Sequence, residues 1–364
     1  MIGHTGTLRG IARAALVAAL LATMAACTSG GATPVPSCDC PTPTTGGGGA
    51  STPAPTPSSI LVHATPTAAV ANTGATATLP ARAQAGTVVA WGDNGKGQAT
   101  VPQGLSGVVA VAAGDEFAIA LKSDGTVVGW GANDSGQTKP PSGLSGVVAI
   151  SAGGNHAIAL KSDGTVVGWG NDVDGETDVP AGLSSVVAIS AGGDHNFALK
   201  ADGTVAGWGV DYNGETDIPA DLHTVAAISA GDLWGLALLK DGTVVGWGDK
   251  FPTDATKSYA DVPAGLSGVT GISAGYYHNL VVKADGTVVS WGEGGDGATT
   301  VPSGLSGVTA VAAGGNFSLA LKSDGSVAGW GSNSDGCLTF PATLKNVIAI
   351  DAGGAFALAI VANP

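Results

Sequence analysis

The chain has 364 residues, 14 of them basic and 28 acidic, for a formal net charge of −14. An acidic chain with scattered lysines repels nucleic acid and anionic lipid, which argues against both as partners. Its 60 glycines follow no Gly-X-Y period, so a collagen-like chain is excluded and turn-rich all-β structure is the natural home for them.

Residues 1–26 read as a secretory signal. Arg9 and Arg13 supply the positive start, and residues 14–26 are an unbroken run dominated by Ala, Leu and Val. The run is shorter than the ~20 residues that a membrane-spanning helix needs. It ends in Met24-Ala25-Ala26-Cys27, which resembles the lipobox of bacterial lipoproteins, with Met24 where Leu is usual. Residues 1–27 are therefore expected to be a lipoprotein-type signal with Cys27 as the lipidated residue; ordinary cleavage and secretion is the alternative. Residues 28–85, rich in Pro, Thr, Gly and Ser, cannot bury a core and are expected to form a tether. The expected location is extracytoplasmic, with membrane contact through the lipid alone. Cys38 and Cys40 are too close to pair without strain and lack a second pair of ligands, so neither a disulfide framework nor a metal or cofactor is expected.

From residue 86 onward the chain is periodic. Trp-Gly recurs at Trp91, Trp130, Trp169, Trp208, Trp247, Trp291 and Trp330, in steps of 39 residues with one step of 44. A period of this size marks an array of one supersecondary unit. In the copy at residues 147–180, Val147-Val148-Ala149-Ile150-Ser151-Ala152 predicts a first strand and Ala157-Ile158-Ala159-Leu160 a second. Asp163-Gly164 between apolar runs predicts a hairpin turn into a third strand ending at Trp169. Thr177-Asp178-Val179, before Pro180, predicts a short fourth strand. The strands are apolar on both faces, so each unit must be covered by its neighbours, and Gly168 is expected to make room for a neighbouring side chain. The array opens on a third strand (residues 86–92) and closes on a first and second (residues 347–361). Pairing the two ends removes an open sheet edge. The expected fold is all-β, a seven-bladed β-propeller with four-stranded blades, spanning residues 86–364 and closed by pairing of its N- and C-terminal strands.

Trp-Gly-x-Asn-x-x-Gly-Gln at residues 91–98 and 130–137, with Ala-Gly-x-x-His followed by Ala-Leu around His156 and His195, resembles the regulator of chromosome condensation repeat. The resemblance covers residues 86–361 and is closest to the compact form of secreted bacterial β-lactamase inhibitory proteins. It implies a propeller that works through its loops, without fixing one function.

Loops after the first and third strands emerge on one face and vary between copies. The Asp-Gly turns and the Pro-x-Gly-Leu-Ser-Gly links emerge on the other and are nearly constant. The variable face carries Tyr212, Trp234, Phe251, Tyr259, Tyr276 and Tyr277, which are the candidate partner-binding residues. It also carries Asp115, Glu116, Asp194, Asp232, Asp172, Asp174, Glu176, Asp211 and Glu215. The alternation Asp172, Asp174, Glu176, Asp178 departs from the full calcium-loop pattern and reads as a solvated turn. His156, His195 and His278 share one repeat position with Phe117, Trp234, Phe317 and Phe356, which points to packing rather than proton transfer. No catalytic residue is assigned. The expected function is a non-enzymatic, monomeric, lipid-anchored module binding a protein or a cell-surface polymer. The alternatives are inhibition of a secreted hydrolase such as a β-lactamase and, by family analogy only, guanine nucleotide exchange. Of the inhibitor-like loop positions Glu116, Asn155, Asp194, Leu233, Tyr277, Asn316 and Ala355, one is aromatic.

Overall fold

Every copy of the repeat folds into three antiparallel strands, and the reason is local. In the turn between the second and third strands, Asp163 Oδ1 accepts the Thr165 N–H (3.0 Å) and the Thr165 hydroxyl (2.6 Å). Gly164 takes the positive φ (80°) that closes the hairpin. The computed structural model describes residues 84–249 and 258–363. The signal, Cys27, residues 28–83 of the tether and Phe251 lie outside the described residues.

The strands run as follows. β1 (Gly86–Gly92) precedes β2 (Val108–Ala113), β3 (Phe117–Lys122) and β4 (Val127–Gly131). Then come β5 (Val147–Ala152), β6 (His156–Lys161) and β7 (Val166–Gly170), and β8 (Val186–Ala191), β9 (His195–Lys200) and β10 (Val205–Gly209). They are followed by β11 (Val225–Ala230), β12 (Trp234–Leu239) and β13 (Val244–Gly248), and by β14 (Val269–Ala274), β15 (His278–Lys283) and β16 (Val288–Gly292). The last are β17 (Val308–Ala313), β18 (Phe317–Lys322), β19 (Val327–Gly331), β20 (Val347–Ala352) and β21 (Phe356–Ala362). A bulge interrupts each first–second strand pair at the same place, as between Val147 and Ala149.

Five sheets have three strands, and a sixth has the order β20-β21-β1-β2-β3-β4. In that sheet β1 pairs with β21 along its full length, from Gly86 opposite Ala362 to Gly92 opposite Phe356. A single pair, Gly86 with Val108, joins β1 to β2. The two ends of the array thus share a sheet, and β20-β21-β1 repeats the pattern of the other units.

The segment expected to form a fourth strand is not one. The Val179 N–H is spent on Thr177 O (2.9 Å) and Pro180 has no N–H, so neither residue can donate to a ladder. The segment instead lies directly on the third strand. A Cβ on Gly168 would sit 2.9 Å from Thr177 Cα, so this glycine admits its own unit's returning backbone rather than a neighbour's side chain.

The core lies between sheets. Phe117, Ile119 and Leu121 of one unit pack with Val147, Ile150 and Trp169 of the next, and Phe356, Leu358 and Ile360 pack with Val108, Val111 and Trp130. Two polar relays reinforce these contacts. The indole N–H of each Trp-Gly tryptophan donates to a carbonyl in the preceding unit: Trp130 to Gln98 O (2.9 Å), Trp169 to Gln137 O (2.9 Å), Trp208 to Glu176 O (3.0 Å). Trp91 donates to Cys337 O (2.7 Å) and so ties the first repeat to the last. Around the axis the Ala-Gly loops bond one to the next, as Gly154 N–H to Gly193 O (2.9 Å) and, between the terminal units, Gly354 N–H to Gly114 O (3.3 Å). Ser151 Oγ accepts the Ala191 N–H (3.0 Å); at the joint of the terminal units Asp351 does the same for Ala113 (2.7 Å).

Removing one indole donor tests this relay. Trp169→Phe keeps most of the apolar contact but strands Gln137 O, and is expected to lower stability in urea unfolding by about 1–3 kcal/mol. Trp169→Ala is expected to cost about 3–5 kcal/mol. A Trp169→Phe protein as stable as the wild type contradicts the contribution of the hydrogen bond.

Candidate partner-binding face

Antiparallel strands place the loops after the first and third strands at one end of every sheet. Near the axis these loops are small. The depression there is lined by repeated Ala-Gly pairs, such as Ala152, Gly153, Ala191 and Gly192, and by Tyr276. Tyr276 extends across it, its hydroxyl 3.5 Å from the place a Cβ on Gly354 would take.

Three of the expected aromatic residues come together. Tyr276 and Tyr277 meet edge to face, with ring centroids 6.4 Å apart. The Tyr259 hydroxyl donates to Glu293 Oε2 (2.8 Å). Burial, and then that bond, push its pKa up to about 12, and Tyr277 is near enough to add to the shift. Tyr277 is exposed and Tyr276 half-buried. Tyr212 stands on a different pair of loops: it is 81% exposed and its hydroxyl donates to Asp174 Oδ1 (3.2 Å). The Asp174 charge is the main cause that raises its pKa. Trp234 needs a correction. It is fully buried, packs at a tilt against Tyr259 with ring centroids 5.0 Å apart and donates to Asn279 Oδ1 (2.8 Å), so it underlies Tyr259 and is not a contact residue. Its large ring fills the slot that Phe or His fills elsewhere.

The acidic loop after β7 is a turn, but it is not wholly solvated. Glu176 is fully buried; its carboxylate accepts the Asp174 N–H (2.8 Å) and the Asn171 side-chain amide. Asp172 Oδ1 accepts the Thr177 N–H (2.9 Å). The alternating carboxylates are thus turned to different backbone groups, and among the described residues no cluster of His, Cys, Asp and Glu has metal-holding geometry.

The shared histidine position is a joint between units. His156 Nε2 lies 2.8 Å from Asn196 Oδ1, and Asn196 Nδ2 donates to Glu176 O (2.9 Å), the same carbonyl that receives Trp208. His278 repeats the device with Ser318 (2.8 Å), which donates to Ala298 O (2.9 Å). His195 faces Gly235 at the equivalent place and has no such partner; it packs on Phe197 with centroids 4.9 Å apart. Burial pushes the His195 imidazole down to about 3, with His156 adding to the effect, and pushes His278 down to about 4. It lowers His156 too, against the opposing pull of Asn196.

One exposed residue escaped the sequence reading. Val173, at the tip of the loop after β7, is 81% exposed. Aligning the tips of the Trp-Gly loops reveals it: Gly95, Asp134, Ser334 and Gly295 occupy the place held by Val173 and Tyr212.

Residues 108–137, 147–176, 186–215, 269–298 and 308–337 match the profile of the Regulator of chromosome condensation (RCC1) repeat. No curated protein matches the chain. Among solved structures it is similar to Prp20p of Saccharomyces cerevisiae, at 18% identity over 78% of this chain and 93% of that one, with a TM-score of 0.64. It is similar to human WBSCR16 at 18% identity over 76% and 100% of the two chains, with a TM-score of 0.60. The ectodomain of the Physcomitrella patens receptor kinase CR4 aligns at 26% identity over 67% of each chain, with a TM-score of 0.54. These likenesses establish an RCC1-type propeller fold. The copy that contains Trp234 and the longer step, and the copy formed by the two terminal segments, lie outside the matched segments.

Because burial depresses the histidine pKa values, the folded state binds fewer protons than the unfolded chain below about pH 6.5. Their stabilising effect is whole above that pH and is lost as pH falls toward 4 and then 3. His195→Phe, which installs the side chain used at Phe117 and Phe317, is expected to flatten the pH dependence of thermal melting between pH 6.5 and 4. An unchanged slope contradicts a buried, neutral His195.

Proposed function

We propose that the chain is a seven-bladed propeller, each blade three strands plus a returning segment, that serves as a non-enzymatic protein-binding module. We further propose that it is extracytoplasmic and held to the membrane by lipid on Cys27. Support for the wheel comes from the β1–β21 pairing, the Trp91–Cys337 bond and the axial relay from Gly354 to Gly114. Support for partner binding rests on one observation: on the variable face Tyr276 meets Tyr277, Glu293 links Tyr277 to Tyr259, and Tyr259 lies over a buried Trp234. Tyrosines on a rigid floor supply apolar area at low entropic cost, as binding hot spots do. Protein binding also fits the company the fold keeps, since Prp20p has been described by its binding to Gsp1p and histones.

Capture from cell-envelope extracts with the full-length protein tests the reading. Tyr276→Ala/Tyr277→Ala is expected to weaken capture of the principal partner about tenfold or more, with an unchanged melting temperature. Retention of the same partners at wild-type affinity contradicts it. Cys27→Ser is expected to move the chain from the membrane fraction to the soluble one; a variant that stays in the membrane contradicts the lipid anchor.

A further inference from the structure

The chain contains its own control for the loops after β7 and β10. In the first two Trp-Gly loops amides stand at two bracing positions; the first loop has Asp93 as a third brace, whereas the second has Ala132 there. Asn94 and Asn133 Oδ1 accept the N–H groups of Ala99 (3.0 Å) and Thr138 (3.2 Å). Gln98 and Gln137 Oε1 accept those of Lys96 (2.8 Å) and Ser135 (2.9 Å). In the next two loops acids stand at both places and make the same bonds. Asp172 and Asp211 accept from Thr177 and Thr216 (2.9 Å each), and Glu176 and Glu215 accept from Asp174 (2.8 Å) and Asn213 (2.7 Å). The turn therefore folds as well on an amide, and the charge of the acids is not required by the loop.

The same two loops differ at their tips from the other four described loops that keep this length, those with Gly95, Asp134, Gly295 and Ser334. Val173 and Tyr212, each 81% exposed, replace Gly, Asp or Ser. Tyr212 reaches back to Asp174 (3.2 Å) and bridges the loops. Among the described residues no lysine or arginine pairs with Asp172, Asp174 or Asp211. On the opposite face the lysines are matched, as Lys122 with Asp124, Lys161 with Asp163 (3.0 Å each) and Lys200 with Asp202 (3.3 Å). Two adjacent loops thus add charge and exposed apolar surface together, where folding calls for neither.

We infer that Asp172, Val173, Asp174, Asp211 and Tyr212 form a docking patch for a lysine- or arginine-rich segment of a partner protein. The inference rests on the reading of this face as protein-binding and specifies the partner's chemistry. The carboxylates take the cationic heads, while Val173 and the Tyr212 ring take the aliphatic stems and stack against a guanidinium. Anionic surface polymers are repelled by the same field.

The test uses full-length protein and two fluorescein-labelled decapeptides, one alternating Arg and Ser and one alternating Glu and Ser, read by anisotropy in ~50 mM salt. Asp172→Asn/Asp174→Asn/Asp211→Asn keeps the loop bonds, as Asn94 and Asn133 show, and is expected to weaken the Arg peptide about tenfold. Tyr212→Ser, at an exposed site, is expected to weaken it about threefold. Asp124→Asn/Asp163→Asn/Asp202→Asn removes the same charge from the opposite face and is expected to leave binding within about twofold, since distant charges are screened. Equal weakening by both triples means attraction by net charge alone and overturns the patch. So does an unaffected acidic-loop triple, or a Glu peptide that binds as well. If the patch fails while Tyr276→Ala/Tyr277→Ala still loses its partner, the protein-binding face stands without it; if the reverse holds, the tyrosine cluster falls and the patch remains.

Discussion

A tryptophan bonded to the unit before it is the interaction on which the rest of the structure depends. Six of the seven Trp-Gly indoles are buried, Trp291 only partly, and a buried N–H must find an acceptor, because a buried donor without one costs as much as several contacts gain. The available acceptor is a loop carbonyl 32 residues earlier, in the preceding unit. Satisfying the indole therefore fixes the distance and angle between units, and it does so at every step. At the ends the rule has one solution left: among the described residues no unit precedes Trp91, and Cys337 in the last repeat supplies its carbonyl. The axial Gly-to-Gly bonds and the pairing of β1 with β21 follow from units held at that spacing.

Much of this was legible in the sequence. The Trp-Gly period, the Asp-Gly turns and the mismatched ends are local or periodic signals, and each announces a backbone requirement. The fourth strand was not legible, because Thr177-Asp178-Val179 has strand-like composition and only the tight Thr177–Val179 bond removes it from the ladder. The role of Gly168 was misread for a related reason. Sequence shows that a Cβ is absent but not which backbone, Thr177's, occupies its place.

The face was partly legible. Exposed aromatics in loops mark themselves, as Tyr277 and Tyr212 did. Trp234 did not, because the same residue type serves as a core filler and as an anchor, and burial decides between them. The histidines looked isolated because their partners lie 40 residues on, in the next repeat: Asn196 for His156 and Ser318 for His278. Reading down the aligned repeats, rather than along the chain, shows polar residues at 196, 279 and 318 opposite rings that carry an N–H, and Ala157, Ala118 and Ala357 opposite phenylalanines. The same reading separates the acids that brace a turn from the charge they carry beyond that need.

Amide hydrogen exchange of β1 tests the central claim most directly. The account predicts that the amides of Gly86–Gly92 and of β21 exchange as slowly as those of an internal strand such as β9, and that Trp91→Phe accelerates both terminal strands together. Exchange of β1 at the rate of an unpaired segment, with β9 protected, would contradict it.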